Sequence, residues 1–357
     1  MKFPAFDLVP WLNEAKGVRF DMANSAAPPP SMDDLGIDMN KTPLGYANIW
    51  GFPELRELVA ETYDVDENEI LLSSGTQEAT FLALATLVKP GDKVAAEVPS
   101  YPPIFNLPLG IGARLIPLKR TFASGFAIDP DEVERALIEG AKAVIITSPH
   151  NPSGRALGEK RLKELCELVE RYKSHLIVDE IYKEMMPKPP ELARHLSERA
   201  ITVSGVSKAY GLGGARVGWA LADRKLVAQM RLAKDYVSVS NSTHGEMLAI
   251  AALRNRDKIL KKNRKHIQKN LAAVDGWMRS QDAMKWAKPD GATISFPKLP
   301  AGVKSMAFGR KALKKGLLLA PGKYFGLDNH VRLTYGCPEA ELRAGLKVLG
   351  KLLEGYP

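Results

Sequence analysis

Between residues 69 and 221, seven short apolar segments alternate with stretches of helical periodicity, and this alternation restricts the fold more than any other feature of the chain. The segments fall at 70–73, 93–98, 114–118, 143–147, 175–179, 200–204 and 217–221. Several are apolar at nearly every position. A strand with one wet face would alternate apolar and polar residues, whereas a continuous apolar run needs cover on both faces. Helical patterns at 76–88, 131–139 and 157–172 supply that cover. The expected fold is α/β, with a large domain built on a mainly parallel, seven-stranded sheet. Ligands of such sheets collect at the carboxyl ends of the strands.

After Leu221 the pattern changes. Residues 224–239 and 270–280 read as helical with a basic stretch between them, then short strands at 293–296, 317–319 and 330–334 precede a last helix at 338–354. These elements predict a smaller α+β domain. The first forty or so residues contain Pro28-Pro29-Pro30, cannot be regular throughout, and read as an extended arm. The expected division is 1–44 for the arm and part of the small domain, 45–235 for the large domain and 236–357 for the small C-terminal domain. With 357 residues, 45% of them hydrophobic, the chain can support two such cores.

The net charge of +9 raises the question of nucleic acid. The densest basic run lies at 254–269, with Ile259, Leu260 and Ile267 as its apolar positions and no aromatic residue interleaved. That is the wet face of a long amphipathic helix, not a stacking platform, so no nucleic-acid partner is expected. No apolar stretch approaches bilayer length, so no membrane partner is expected. Met1 to Pro10 lacks a basic segment followed by an apolar core, so no secretory leader is read there. Two cysteines, Cys166 and Cys337, make no disulfide framework, and a cytoplasmic location is expected. No histidine has zinc-ligand spacing, so no metal is expected.

The run Ser204-Gly205-Val206-Ser207-Lys208-Ala209-Tyr210-Gly211-Leu212-Gly213-Gly214-Ala215-Arg216-Val217-Gly218-Trp219 places a lysine just past a strand and ahead of a glycine-rich turn, with an arginine eight positions on. A dinucleotide loop is ruled out because Arg216 stands where that fingerprint needs glycine. A lysine so placed can form an imine with a carbonyl, which is how proteins hold pyridoxal phosphate, and a planar guanidinium suits a phosphate. Other strand ends carry matching groups. Ser74-Gly75-Thr76 follows the first strand and is either a plain helix cap or an anion cradle. Tyr101 follows the second, Asn151 lies in Ser148-Pro149-His150-Asn151-Pro152-Ser153-Gly154, and Asp179 ends a strand three residues before Tyr182.

In this order the motifs resemble those of the class I/II aminotransferases, fold-type I enzymes that depend on pyridoxal 5'-phosphate. The resemblance runs from about Tyr46 to Arg332. It implies that Lys208 holds the cofactor, Asp179 pairs with the pyridine nitrogen, and Tyr182 and Asn151 donate to the ring oxygen. Tyr101 would stack on the ring. Ser74, Gly75, Thr76, Ser207 and Arg216 would hold the phosphate, with His150 a bystander. In the element from Gly45 to Arg56, the tyrosine corresponding to Tyr46 reaches a neighbouring subunit's phosphate, which implies a homodimer with shared sites. Arg332, in Val331-Arg332-Leu333-Thr334-Tyr335-Gly336 after the turn Pro321-Gly322-Lys323-Tyr324-Phe325-Gly326, would grip the substrate carboxylate together with Asn151. Many relatives have serine where this chain has Gly205, which implies one phosphate donor fewer; the segment Asp21-Met22-Ala23-Asn24-Ser25 also lacks the usual glycine pattern. The expected reaction is ping-pong transamination between an L-amino acid and a 2-oxo acid. The alternatives are a β-lyase, a decarboxylase, a histidinol-phosphate aminotransferase-like enzyme, or a non-catalytic sensor. A sensor normally carries a winged-helix domain, for which there is no room before Tyr46.

Overall fold

Seven strands hydrogen-bond into one sheet in the order Ile70–Ser73, Gly218–Leu221, Ala200–Gly205, His175–Asp179, Ala141–Thr147, Lys93–Val98, Arg114–Lys119. The structure is a computed structural model that describes residues 1–14, 18–46, 48–354 and 356. Neighbouring strands are parallel except at Gly218–Leu221, which is antiparallel to both its neighbours. The glycine-rich loop that carries Lys208 returns the chain directly, and a parallel strand would need a full crossover.

The near-continuous apolar runs follow from cover on both faces. Ala143 and Ile145 pack with Ala79, Leu82, Ile104 and Met230, while Val144 and Ile146 pack with Val133, Leu137, Leu165 and Val169. Successive side chains of a strand point to opposite faces, so both parities must be apolar. The remaining strands form an antiparallel sheet, Ala320–Pro321, Val331–Thr334 and Ile294–Ser295, and a parallel pair, Phe20–Asp21 with Leu317–Leu318. Among the described residues no helix is long and apolar enough to cross a membrane.

Several elements differ from expectation. Helices at Pro53–Tyr63 and Pro102–Ile111 lie outside the helical stretches expected at 76–88, 131–139 and 157–172. Both open on proline, whose missing N–H is no loss in a first turn and whose fixed φ suits a helix. A further helix spans Thr243–Arg254, and the helix from Arg224 stops at Asp235. The basic run belongs to one 24-residue helix, Arg256–Arg279. Lys258, Lys261, Lys262 and Lys265 are exposed on it as expected. Arg256 and Arg264 instead turn inward: Arg256 Nε lies 3.0 Å from Glu184 Oε1 and Arg264 Nε donates to the Glu184 carbonyl at 2.7 Å. The first forty residues are not an extended arm throughout, because Leu8–Glu14 is helical and Ser31 caps a short turn of helix at Met32–Leu35.

Gly205 and Gly218 face each other across the antiparallel pair. A Cβ on Gly205 would lie 2.7 Å from both Gly218 Cα and the Val217 carbonyl oxygen, so this position is closed to the serine that the family pattern offers. Gly205→Ser should cost about 1–3 kcal/mol of stability through overpacking against backbone. Denaturant unfolding would measure the loss; an unchanged midpoint would show that the strand pair yields freely.

Candidate active site

The carboxyl ends of five parallel strands meet at a cavity of about 260 Å³. Each end delivers the residue that its sequence position predicts. Thr76 comes from the end of Ile70–Ser73, Tyr101 from Lys93–Val98, Asn151 from Ala141–Thr147, Asp179 and Tyr182 from His175–Asp179, and Ser207 and Lys208 from Ala200–Gly205. Arg216 enters from the returning loop and Arg332 from the smaller antiparallel sheet.

Lys208 Nζ donates to Ser25 Oγ at 2.9 Å and lies 6.0 Å from the centre of the Tyr182 ring. Burial, with the Arg332 charge, brings its pKa down to about 8 against the opposing pull of Asp179. Asp179 is buried and accepts the Ile181 N–H at 3.1 Å. Burial raises its pKa to about 7, so the carboxylate is poised to gain from a cationic partner. Tyr182 Oη is buried, with the Ser25 hydroxyl as its polar neighbour. Arg332 donates through Nη1 to Asn151 Oδ1 at 3.2 Å and through Nη2 to the Ala23 carbonyl at 2.8 Å, while its Nε has no partner among the described residues.

Ser74 and Gly75 stand behind Thr76 as the turn that seats Arg216. The guanidinium donates to the Ser74 carbonyl at 3.1 Å and to the Gly213 carbonyl at 3.1 Å. Gly75 has φ +89°, and a Cβ there would lie 2.7 Å from Arg216 Nη2. Arg216 itself has φ +54°, a left-handed conformation that costs a non-glycine residue ~1–3 kcal/mol. Thr76 begins a 12-residue helix, whose first N–H groups have no partner within the helix and favour an anion. Tyr46 does not line the cavity of its own chain and is 92% exposed.

Sequence reasoning missed a buried network that braces two of these loops. Glu97, an acid inside the apolar strand Lys93–Val98, pairs with Arg120 at 2.7 Å and accepts from Thr147 Oγ1 at 2.7 Å and Ser100 Oγ at 2.8 Å. Burial pushes the Glu97 pKa up and Arg120 opposes it. Thr147 Oγ1 in turn accepts the Asn151 N–H at 3.0 Å. His150 does not line the cavity, but its ring braces the same loops by joining the Pro99 carbonyl at 2.8 Å and Ser153 Oγ at 2.7 Å. The carbonyl can only accept, so Nε2 carries the proton. The lone acid in an apolar strand was the available signal. Ser25, Gln77 and Thr147 also line the cavity, as do Phe6, Leu8, Val9 and Leu12 from the N-terminal segment. Nothing in their local sequence marks them. Among the described residues no cluster of histidine, cysteine or carboxylate side chains could hold a metal.

A buried carboxylate, a buried phenol, a low-pKa lysine and an arginine beside a helix start fit pyridoxal phosphate, and together with the sheet they define a fold-type I enzyme of that cofactor. The family model for aminotransferase class I and II matches residues 20–349, and the chain belongs to that family. It is 30% identical over 308 residues to a capreomycidine synthase of Streptomyces vinaceus, covering 85% of this chain and 79% of that protein. It is also 30% identical to a probable N-acetyl-LL-diaminopimelate aminotransferase of Bacillus subtilis, covering 87% and 81% of the two chains. A PLP-dependent aminotransferase from Streptococcus suis superposes with a TM-score of 0.95 at 26% identity, over 100% of this chain and 99% of the other.

A lysine with a pKa near 8 is a neutral amine above that pH and a protonated one below it. Acylation of Lys208 in the cofactor-free protein should therefore rise about tenfold per pH unit up to about pH 8 and then level off, whereas an ordinary lysine climbs to about 10.4. Mass-spectrometric labelling at a series of pH values reads this directly. A rise continuing beyond pH 9 would contradict it.

Proposed function

We propose that Lys208, Asp179 and Tyr182 carry a pyridoxal-phosphate-dependent transamination between an L-amino acid and a 2-oxo acid. The observation that carries this reading is the convergence in one cavity of the Lys208 amine, the Asp179 carboxylate and the buried Tyr182 phenol. The bound cofactor supplies a carbonyl for the amine and an electron sink for the electrons left on Cα. Asp179 holds the pyridine nitrogen protonated. Tyr182 Oη and the Asn151 amide donate to the ring oxygen, and Tyr101 covers one face of the ring. The N–H groups from Gly75 onward, the hydroxyls of Ser74, Thr76 and Ser207, and the Arg216 guanidinium hold the phosphate. Arg332, with Asn151, binds the α-carboxylate and so fixes where Cα sits. With the cofactor held there, Lys208 Nζ would be the base placed to take the Cα proton and to return it. The first 2-oxo acid leaves before the second enters, giving ping-pong kinetics.

The assembly we infer is a homodimer with shared sites. Leu44, Tyr46, Trp50, Leu232, Tyr236 and Val237 are exposed apolar residues on two segments that adjoin through Arg231, whose guanidinium lies 4.7 Å from the Trp50 ring. Exposed apolar side chains gathered on adjoining segments call for a partner surface. A second copy covering it would bring Tyr46 to the neighbouring phosphate. The same reading divides the chain at 1–44, 45–235 and 236–357 and places it in the cytoplasm.

Borohydride reduction of the holoenzyme should fix the cofactor on the peptide that contains Lys208; label on another lysine overturns the assignment. Asp179→Asn should keep the fold and reduce turnover by orders of magnitude, and near-normal turnover would remove Asp179 from its role. Mixing Tyr46→Phe with Lys208→Ala under subunit exchange should restore activity, because a heterodimer gathers both lesions in one site and leaves the other whole. An active monomer on sedimentation would refute the shared site.

A further inference from the structure

The cavity has a polar floor and an apolar wall. Phe6, Leu8, Val9 and Leu12, on and just before the helix Leu8–Glu14, all face it, and Ile181 extends the same surface from the sheet side. The helix is clamped in place: Trp11 Nε1 donates to the Leu319 carbonyl at 2.8 Å, and Leu8 is buried. At the other end Phe6 meets the Tyr101 ring edge-on with centroids 5.6 Å apart, so the segment bridges from the small sheet to the tip of the large one. The acids flanking these residues, Asp7 and Glu14, line the neighbouring groove with Arg310 and Lys323 instead.

Among the described residues of one chain, four charged side chains line the cavity: Lys208, Arg216, Arg332 and Asp179. On the reading above, each is already engaged, by the cofactor carbonyl, its phosphate, the substrate α-carboxylate and the pyridine nitrogen. A substrate held by Arg332 therefore presents its side chain to a wall on which, among the described residues of its own chain, no further cation stands to receive a carboxylate and no further anion to receive an amine. Burying an unpaired charge there is strongly unfavourable, while burying methylene or ring carbon is favourable.

We propose that the amino donor is an L-amino acid with an uncharged, apolar side chain, aliphatic, thioether or aromatic, selected by the wall of Phe6, Val9 and Leu12. The proposal rests on the transamination reading and on Arg332 as the carboxylate anchor. Two measurements on the holoenzyme separate it from that reading. In the first, the change in cofactor absorbance is followed with L-leucine, L-methionine and L-phenylalanine against L-aspartate, L-glutamate and L-arginine. The apolar set should react at least about 100-fold faster per unit concentration, given what an unpaired buried charge costs. In the second, calorimetry compares non-reacting carboxylates: 4-methylpentanoate and 3-phenylpropanoate should bind at least about tenfold tighter than succinate. Leu12→Arg should shift both ratios toward the acidic ligands. Amino acids that react without this preference, succinate binding as tightly as the apolar acids, or ratios unmoved in Leu12→Arg would each overturn the proposal and leave transamination standing. If no amino acid reacts but the carboxylates keep the expected order, transamination fails and the side-chain wall stands.

Discussion

Three glycine backbones in contact hold the catalytic half of this molecule together. A Cβ on Gly218 would lie 2.8 Å from Gly75 C and Thr76 N, and one on Gly205 would lie 2.7 Å from Gly218 Cα. The turn after the first strand, the end of the lysine-bearing strand and the start of the returning strand thus approach as closely as bare backbone permits. Only that approach lets Arg216 lie against Gly75 and reach the Ser74 carbonyl. The left-handed strain of Arg216 is sustained by the same packing, as expected where a functional side chain must point one way.

Around this contact, buried charge is spent on bracing. Glu97 with Arg120 ties the Tyr101 and Asn151 loops together. Glu184 receives the hydroxyl groups of Tyr63 and Tyr210 and the guanidinium of Arg256, just two residues beyond Tyr182. A pair of this kind adds little net stability over apolar packing, but losing one partner strands the other in a dry interior. Such networks penalise any alternative placement of the loops they join. The positions of Tyr101, Asn151 and Tyr182 are therefore braced largely by groups behind the cavity, Glu97, Arg120 and Glu184.

Most of the sheet and the polar site residues were legible because two local rules cover them. Apolar runs covered on both faces give strands, and chemistry collects at their carboxyl ends, which is where Thr76, Tyr101, Asn151, Asp179 and Lys208 stand. What stayed hidden depends on partners distant in sequence. Phe6 and Leu12 read as ordinary apolar residues until tertiary structure lays them over a cavity whose polar residues are numbered from 25 to 332. Arg120 could not be paired with Glu97 by spacing alone. The helix at Pro102–Ile111 was masked because Pro102, Pro103 and Pro108 argue locally for a turn, and tertiary packing overrides them. Tyr46 is exposed in its own chain, so a single copy cannot display the role that its motif implies.

The parallel pair Phe20–Asp21 with Leu317–Leu318 joins the first segment of the chain to nearly the last, and the Ala27 N–H donates to the Lys208 carbonyl at 2.9 Å. On the ribosome these early residues emerge long before either partner exists. The sheet can assemble strand by strand as it is translated, but the segment that supplies Ser25 and the apolar wall must wait for almost the whole chain. Closing so long a loop is a late and slow event. The Lys208 amine thus gains its Ser25 partner and the cover of the apolar wall only when synthesis is nearly over.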